Sequence, residues 1–243
     1  MKVAILGAAG RMGRMLVSLA EERGMEVAAK VDLAEGYDRT WEGAEVDAIV
    51  DFSFHSAVPG NISKAAEKGI AYVVGTTGLD AAEQAAVDAA SAKIPVVQSG
   101  NYSLGVNLLL DLVEKAARTL GPGYDIEVVE MHHRHKKDAP SGTALMLAKA
   151  AAKGRGVDFA SSAVFGRKGE TGERTDDEIA IHALRGGSVV GDHTVMFAGE
   201  VERVELVHRA QDRRAFAAGA LKAAEWAAGR ASGLYTMRDV LGL

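Results

Sequence analysis

The 243-residue chain contains no cysteine, which excludes disulfides, thiol nucleophiles and thiolate metal sites. No apolar run approaches the roughly 20 residues that a bilayer-spanning helix needs, and Met1-Lys-Val-Ala opens directly into an apolar strand without the pattern of a secretory signal. A net basic balance is also missing. Formal charge is −5, whereas a general nucleic-acid or membrane-surface binder turns a net basic face to phosphates. No internal repeat or low-complexity tract is present beyond alanine enrichment, which reflects helix propensity. These absences leave the expectation of a cytoplasmic globular enzyme with no nucleic-acid or membrane partner. Its length suffices for one large domain or two modest ones, and two is the favoured reading.

What is there begins at the N-terminus. Lys2-Val-Ala-Ile-Leu6 reads as a short strand, followed by Gly7-Ala-Ala-Gly10-Arg-Met-Gly13 and a helix with Met12, Leu16, Leu19 and Ala20 at helical spacing. The glycines are spaced GxxGxxG instead of GxGxxG, yet they meet the same demands: a tight turn, close backbone approach to a pyrophosphate, and close helix packing. Arg11 adds a cation within reach of a phosphate. A second strand, Glu26–Val31, leads to Asp32, where a carboxylate in such a unit hydrogen-bonds the adenosine ribose. An ordinary βα turn without ligand is the bland alternative, and the placed acid weighs against it.

Further along, Asp47–Phe52, Ala71–Val74 and Pro95–Gln98 read as apolar strands separated by helices over Ala57–Lys68 and Ala81–Ala92. This alternation predicts an α/β fold with a Rossmann-like, doubly wound parallel sheet. Each strand empties into a polar or glycine-containing turn, Ser53-Phe-His55, Gly75-Thr-Thr-Gly78 or Ser99-Gly100-Asn-Tyr102-Ser103, and ligands bind at such carboxyl ends. After residue 103 the pattern changes to a helix over Gly105–Leu120 and strands at Asp125–Glu130, Glu178–Leu184, Ser188–Ala198 and Val201–Arg209. Two of these flank Gly186-Gly187, a two-residue hairpin signal. A second, α+β domain with a mixed or antiparallel sheet is expected, one half-apolar face of which can bury itself against another subunit. The polar segment from Gly154 to Asp177 reads as a mobile loop. A final helix over Ala215–Ala228 is expected to return to the first domain. The expected division is 1–103 with 214–243 for dinucleotide binding, and 104–213 for substrate binding and oligomerisation.

The densest chemistry lies in Glu130-Met-His-His-Arg-His-Lys-Lys-Asp-Ala-Pro-Ser-Gly-Thr-Ala144. Ser141 is a natural N-cap for the alanine-rich run that follows, which Gly154 is expected to close. With Gly142 and Thr143 in the first turn, free backbone N–H groups and the helix dipole favour a carboxylate or phosphate. Lys136 supplies a compact positive charge, and His132, His133 and His135 bring the side-chain type that can carry protons near neutral pH, so anion binding and proton transfer can share one loop. A metal site is the first alternative, disfavoured because adjacent histidines rarely ligate one ion and no cysteine is available. A solvated basic loop is the second, and it leaves the helix cap unexplained.

These motifs carry a resemblance. The chain resembles the dihydrodipicolinate reductase family, described also as 4-hydroxy-tetrahydrodipicolinate reductase, of lysine and diaminopimelate biosynthesis. Four blocks support it in order: Gly7–Gly13, Gly75-Thr-Thr-Gly78, Glu130–Ala144 and the terminal Ser232-Gly-Leu-Tyr-Thr-Met-Arg-Asp-Val-Leu241. The third is highly specific, whereas the first alone fits many dehydrogenases. The resemblance implies hydride transfer from NADH or NADPH to C4 of an unsaturated cyclic dicarboxylate, with loss of water first if the 4-hydroxy form arrives. It implies His132 as general acid and Lys136 as the other catalytic group. His133, Ser141, Gly142 and Thr143 would hold the substrate carboxylates, and Gly7, Gly10, Arg11, Met12, Gly13 and Asp32 the cofactor. Gly75, Thr77, Gly100 and Tyr102 would line its nicotinamide end. A homotetramer formed through the second sheet is implied as well.

The chain departs from that pattern in a short segment between Asp32 and Asp47. The residue after the ribose-binding acid, often basic in members that accept both cofactors, is Leu33 here. Asp32 repels a 2′-phosphate, so NADH is expected to be preferred and NADPH to be second, with Lys30 and Arg39 as the nearby cations. Two other readings stay open on the sequence: another nicotinamide-dependent dehydrogenase acting on amino dicarboxylates or semialdehydes, and a nucleotide sensor without chemistry.

Overall fold

The computed structural model describes residues 1–243, which divide into two compact units, Met1–Leu104 with Arg213–Leu243, and Gly105–Asp212. The first unit begins with β1 (Lys2–Leu6), α1 (Arg11–Glu22), β2 (Glu26–Val31), β3 (Ala48–Asp51), α2 (Val58–Lys68), β4 (Ala71–Val74), α3 (Ala81–Ser91) and β5 (Pro95–Gln98). The chain then passes through α4 (Leu104–Leu120), β6 (Asp125–His132), α5 (Gly142–Arg155), α6 (Phe159–Ser162), β7 (Ala163–Phe165), β8 (Ile179–Arg185), β9 (Gly191–Ala198) and β10 (Arg203–Ala210). It ends with α7 (Arg214–Ala227), β11 (Gly233–Tyr235) and α8 (Met237–Leu241), all within the first unit.

The first sheet runs β11-β5-β4-β3-β1-β2, with every pairing parallel. Its central strands are apolar on both faces because both faces are covered. Val3, Ile5, Val50 and Val73 pack beneath Leu16 and Ala20 of α1 and Ala220 and Ala224 of α7. Ile49, Tyr72, Val74 and Val96 pack on the other side against Val58 and Ile62 of α2 and Val87 of α3. Strand order reverses between β1 and β3, and this switch point is where an open α/β sheet parts its loops into a crevice.

The second sheet runs β10-β9-β6-β8-β7, antiparallel among the first three strands and parallel among the last three. One face is an apolar ladder: Ile126 and Val128 of β6 stand between Ile179 and Ile181 of β8 and Phe197 and Val195 of β9. Leu147, Ala148 and Ala151 of α5 cover it, with Leu109, Val113 and Ala117 of α4. The opposite row, including Glu127, Val129, Met131, Thr194 and Met196, stays half-buried.

Several sequence expectations are corrected. Gly186-Gly187 is not a hairpin: β8 and β9 do not pair, because β6 lies between them, parallel to one and antiparallel to the other. The glycine pair belongs to a connection that steps over β6, and its backbone braces the histidine turn instead, through Gly186 N–H to His132 O (2.9 Å) and Arg134 N–H to Gly187 O (3.2 Å). Gly154 does not close α5, which continues to Arg155 and ends at Gly156 in the left-handed region (φ 76°). A Cβ at Gly154 would lie 2.2 Å from the Glu114 carbonyl, so this glycine serves close packing of α5 on α4. The segment expected as a loop also contains α6 and β7, leaving residues 166–178 as the irregular part.

Candidate functional site

In the first unit, the turn after β1 is built on two glycines that nothing larger can replace. Gly7 has φ 76°, and a Cβ there would meet the Phe52 carbonyl at 2.4 Å; a Cβ on Gly13 would lie 2.0 Å from the Gly7 carbonyl. Gly10 is the N-cap of α1 and offers no side chain to its first N–H groups, leaving that end of the helix open to an anion. Beside this turn is a cavity of about 470 Å³ lined by Gly7, Gly10, Asp32, Leu33, Arg39 and Phe54, among others. Asp32 Oδ2 accepts the Ala9 N–H and Oδ1 the Ala34 N–H, both at 3.0 Å. Burial pushes this carboxyl up, and the N–H groups of Ala34, Ala9 and Leu33 with Arg39 nearby outweigh it, so it ionises below its usual range. Arg39 donates to the carbonyls of Leu33 and Asp32 at the cavity wall. Lys30 instead reaches Glu21 at 2.8 Å and lines a different hollow, on the strand face opposite its neighbour Val31, which lines the cavity with Asp32 just past the strand end. The residues present thus fit a dinucleotide: glycines too tight for a Cβ, an uncapped helix start and a carboxylate at the cavity edge.

The neighbouring loops are tied together by Asp51, a fully buried carboxylate at the end of β3 that the sequence reading passed over. It accepts from Ser53 N–H (2.8 Å), Thr76 Oγ1 (3.2 Å) and the Tyr72 hydroxyl. Gly75 is pressed against the Phe52 ring, 2.3 Å from where its Cβ would stand. With Thr76, Thr77 and His55 it lines a second, shallower hollow. Tyr102 departs from expectation. Its ring is buried, 5.8 Å from that of Phe52, and its hydroxyl donates toward the carbonyls of Val74 (2.7 Å) and Val97 (3.0 Å). The side chain is a core prop, and Gly100 lies on the exposed loop before it.

In the second unit the apolar ladder changes character at its end. Continuing the face of Ile126 and Val128, β6 presents Glu130 and then His132; β8 brings Arg185 opposite His132, and β9 brings His193 opposite Glu130. Glu130 has no solvent exposure. Its carboxylate accepts two bonds from Arg185, Nη1 to Oε2 and Nη2 to Oε1, each 2.8 Å. It also receives the Ser141 N–H at 2.9 Å and lies 2.6 Å from His132 Nδ1. Burial pushes this carboxyl up, but Arg185, His132 and Ser141 together hold it below the usual range. A buried charge so paired and hydrogen-bonded stays ionised.

Ser141 caps α5 as its sequence position predicts, accepting the Ala144 N–H at 3.1 Å. His193 Nε2 lies 3.1 Å from the same hydroxyl oxygen. Burial, then the adjacent His132, pushes His193 down to about 4, so its ring is neutral at neutral pH. Its Nδ1 is buried without a hydrogen-bond partner. A buried lone pair is tolerated better than a buried N–H, which assigns the proton to Nε2, donating to Ser141. With both lone pairs engaged, the Ser141 hydroxyl is left to donate its own proton outward. Gly142 and Thr143 follow in the first turn of α5.

The turn between β6 and α5 is fastened at His133 N–H to Val189 O (2.8 Å) and Lys136 N–H to His133 O (3.1 Å). Lys136 Nζ rests 2.8 Å from Asp138. His135 is exposed, its ring 6.2 Å from that of His133. No group of three His, Cys, Asp or Glu side chains is placed to hold a metal ion. His132, His133, Lys136, Ser141, Gly142 and Thr143 thus share one corner of the second unit, while the glycine turn and Asp32 share another site in the first. Glu130, Arg185 and His193 are the members that sequence reasoning missed.

An all-parallel doubly wound sheet with a glycine-turn crevice, joined in one chain to a mixed sheet bearing a histidine, lysine and helix-terminus corner, defines a two-unit protein of the Rossmann-type reductase class. The comparisons narrow the class. Residues 1–102 match the family model described as dihydrodipicolinate reductase, N-terminus, and residues 105–241 the one described as dihydrodipicolinate reductase, C-terminus. The 4-hydroxy-tetrahydrodipicolinate reductase of Alkalilimnicola ehrlichii is 48% identical over 264 residues, covering 100% of this chain and 99% of its own length. That of Rhodopseudomonas palustris is 48% identical over 265 residues, with 100% and 98% covered. A dipicolinate-bound dihydrodipicolinate reductase from a Paenisporosarcina species shares the fold, with TM-score 0.79, 22% identity and 97% of each chain covered. The chain belongs to the dihydrodipicolinate reductase family.

Proposed function

We propose that the protein reduces 4-hydroxy-tetrahydrodipicolinate, or the dihydrodipicolinate formed from it by loss of water, to tetrahydrodipicolinate in lysine and diaminopimelate biosynthesis. The observation that carries this reading is the corner in which His132, backed by the buried Glu130, leads into the turn of Lys136 and the Ser141-capped N-terminus of α5. When bound, NADH or NADPH supplies the hydride that goes to C4 of the ring; one proton is taken up at the electron-rich carbon that results. His132 donates that proton from Nε2, since Nδ1 is turned to Glu130. Lys136 releases Asp138 to meet a substrate carboxylate, and the Ser141 hydroxyl with the N–H groups of Gly142 and Thr143 receives the other, His133 flanking it. Holding a planar dianion at both ends fixes the ring before proton transfer.

In this reading residues 1–103 with 214–243 bind the dinucleotide, through Gly7, Gly10, Arg11, Met12, Gly13 and Asp32, with Gly75, Thr77 and the Gly100 loop toward the nicotinamide. Residues 104–213 bind the substrate and make a homotetramer through the half-buried face of the second sheet. Asp32 at the cavity edge, followed by Leu33, supports a preference for NADH; Arg39 in the same wall supports NADPH as second cofactor. The test is oxidation of each reduced cofactor when the protein joins pyruvate, aspartate semialdehyde and the synthase that condenses them. Oxidation that requires the synthase, faster with NADH, is expected. None with either cofactor, while NADH still binds, would overturn the reading.

A further inference from the structure

The core face of the second sheet is apolar until its carboxyl end, where a fully buried carboxylate, Glu130, is inserted directly behind an imidazole. Burying a carboxylate is costly unless every acceptor position is satisfied. Here the fold supplies four donated bonds from three separate elements: two from Arg185 on β8, one from the Ser141 N–H at the start of α5, and one from His132 on β6. Arg185 is itself fixed, donating from Nη2 to the Asp138 carbonyl (2.7 Å) and from Nη1 to the Leu184 carbonyl (2.7 Å). Glu130 therefore has a single orientation. At the other end of the imidazole, a Cβ on Gly191 would come within 3.0 Å of Nε2, so the fold keeps a glycine where that nitrogen needs room. His193 meets the ring edge-on, with centroids 5.2 Å apart, and limits its tilt.

We propose that Glu130, clamped by Arg185, is the positioning residue of His132: it holds the ring with Nδ1–H turned inward, so that Nε2 alone carries the transferable proton. The proposal rests on the reading of His132 as proton donor. Two consequences follow from the geometry. In the charged ring, the carboxylate supports the imidazolium before the proton leaves; in the neutral ring, it fixes the Nδ1–H tautomer, leaving Nε2 bare to be reprotonated. A glutamine of the same size offers one acceptor oxygen where the carboxylate offers two, so its amide N–H₂ faces one Arg185 nitrogen in either orientation, together with either the Ser141 N–H or His132 Nδ1, and the clamp is weakened both ways.

The tautomer is read directly from nitrogen-15 shifts of histidine-labelled full-length protein, with the His132 resonances identified by their loss in His132→Gln. The wild type is expected to show a protonated Nδ1 and a bare Nε2 in the neutral ring, a readout that needs no variant at Glu130 to fold. Kinetically, Glu130→Gln is expected to lower kcat on the order of 10²-fold with KM within about threefold, and Arg185→Lys about tenfold. In a His132→Gln background, Glu130→Gln should cost nothing further. An Nε2–H tautomer in the wild type, kcat retained in Glu130→Gln, or losses that multiply in the double variant would each overturn the proposal. Failure of the reductase reading itself would show separately, as a wild type that oxidises no cofactor with the synthase present.

Discussion

His132 Nδ1 lies 2.6 Å from Oε2 of Glu130, a carboxylate without solvent exposure, and this contact joins the core of the second sheet to its reactive edge. The same strand face that buries Ile126 and Val128 ends in this pair, so the packing that stabilises the unit also orients the imidazole.

Replacing the two groups assigned to chemistry separates catalysis from cofactor binding. His132→Gln is expected to lower kcat about 10²–10⁴-fold, the usual contribution of a general acid. Lys136→Ala should lower kcat strongly too. Fluorescence titration should find NADH binding nearly unchanged in both, because the glycine turn lies in the other unit. Near-wild-type turnover in both variants would remove the mechanism.

Gly191→Ala tests the room kept for Nε2. The added methyl would stand 3.0 Å from Nε2 and 3.4 Å from Cδ2 of His132, so the ring must shift by a few tenths of an ångström. A displacement of this kind is expected to lower kcat about tenfold while the thermal midpoint moves little. Unchanged kcat would mean that the ring is not held where the fold places it.

Cofactor choice is set at the rim of the first-unit cavity. Asp32→Ala should narrow the gap in kcat/KM between NADH and NADPH by removing the carboxylate that opposes a 2′-phosphate. Arg39→Ala should widen it, because this guanidinium lines the same wall. Equal kcat/KM for both cofactors in the wild type would refute the preference.

His193 makes stability depend on pH in a defined direction. Its pKa falls from 6.5 in the unfolded chain to about 4 in the fold, where burial and then His132 oppose a charge. The unfolded chain therefore binds the proton first on acidification, and stability is lost as pH falls from about 6.5 toward 4, by about 3 kcal/mol at most from this group. Urea midpoints at pH 7 and pH 4.5 should differ in the wild type and differ less in His193→Gln. Glu130 acts in a lower window: its depressed pKa contributes stability that is complete above about 4.5 and disappears as pH falls through the folded value.

Much of this was legible from local pattern. The strand, glycine turn and helix at Lys2–Glu22, and the Ser141 cap, are short-range features whose physics is complete within a dozen residues. The placement of Glu130 was also within reach, since residues two apart on a strand share a face. Its partners were not: Arg185 and His193 meet it through strand registers spanning more than 50 residues. Gly186-Gly187 misled for the same reason, because a local turn signal cannot show that β6 will intervene between β8 and β9. Tyr102 was assigned to the cofactor through resemblance, and only the fold shows its hydroxyl turned to core carbonyls.

The most direct test of the central claim follows the hydride itself. The synthase-coupled reaction is run with NADH deuterated at the transferring position of the nicotinamide, and the product is analysed by mass spectrometry and NMR. One deuterium at C4 of tetrahydrodipicolinate is the predicted result. A product without deuterium at C4, or no reduced product while NADH binds, would contradict the account.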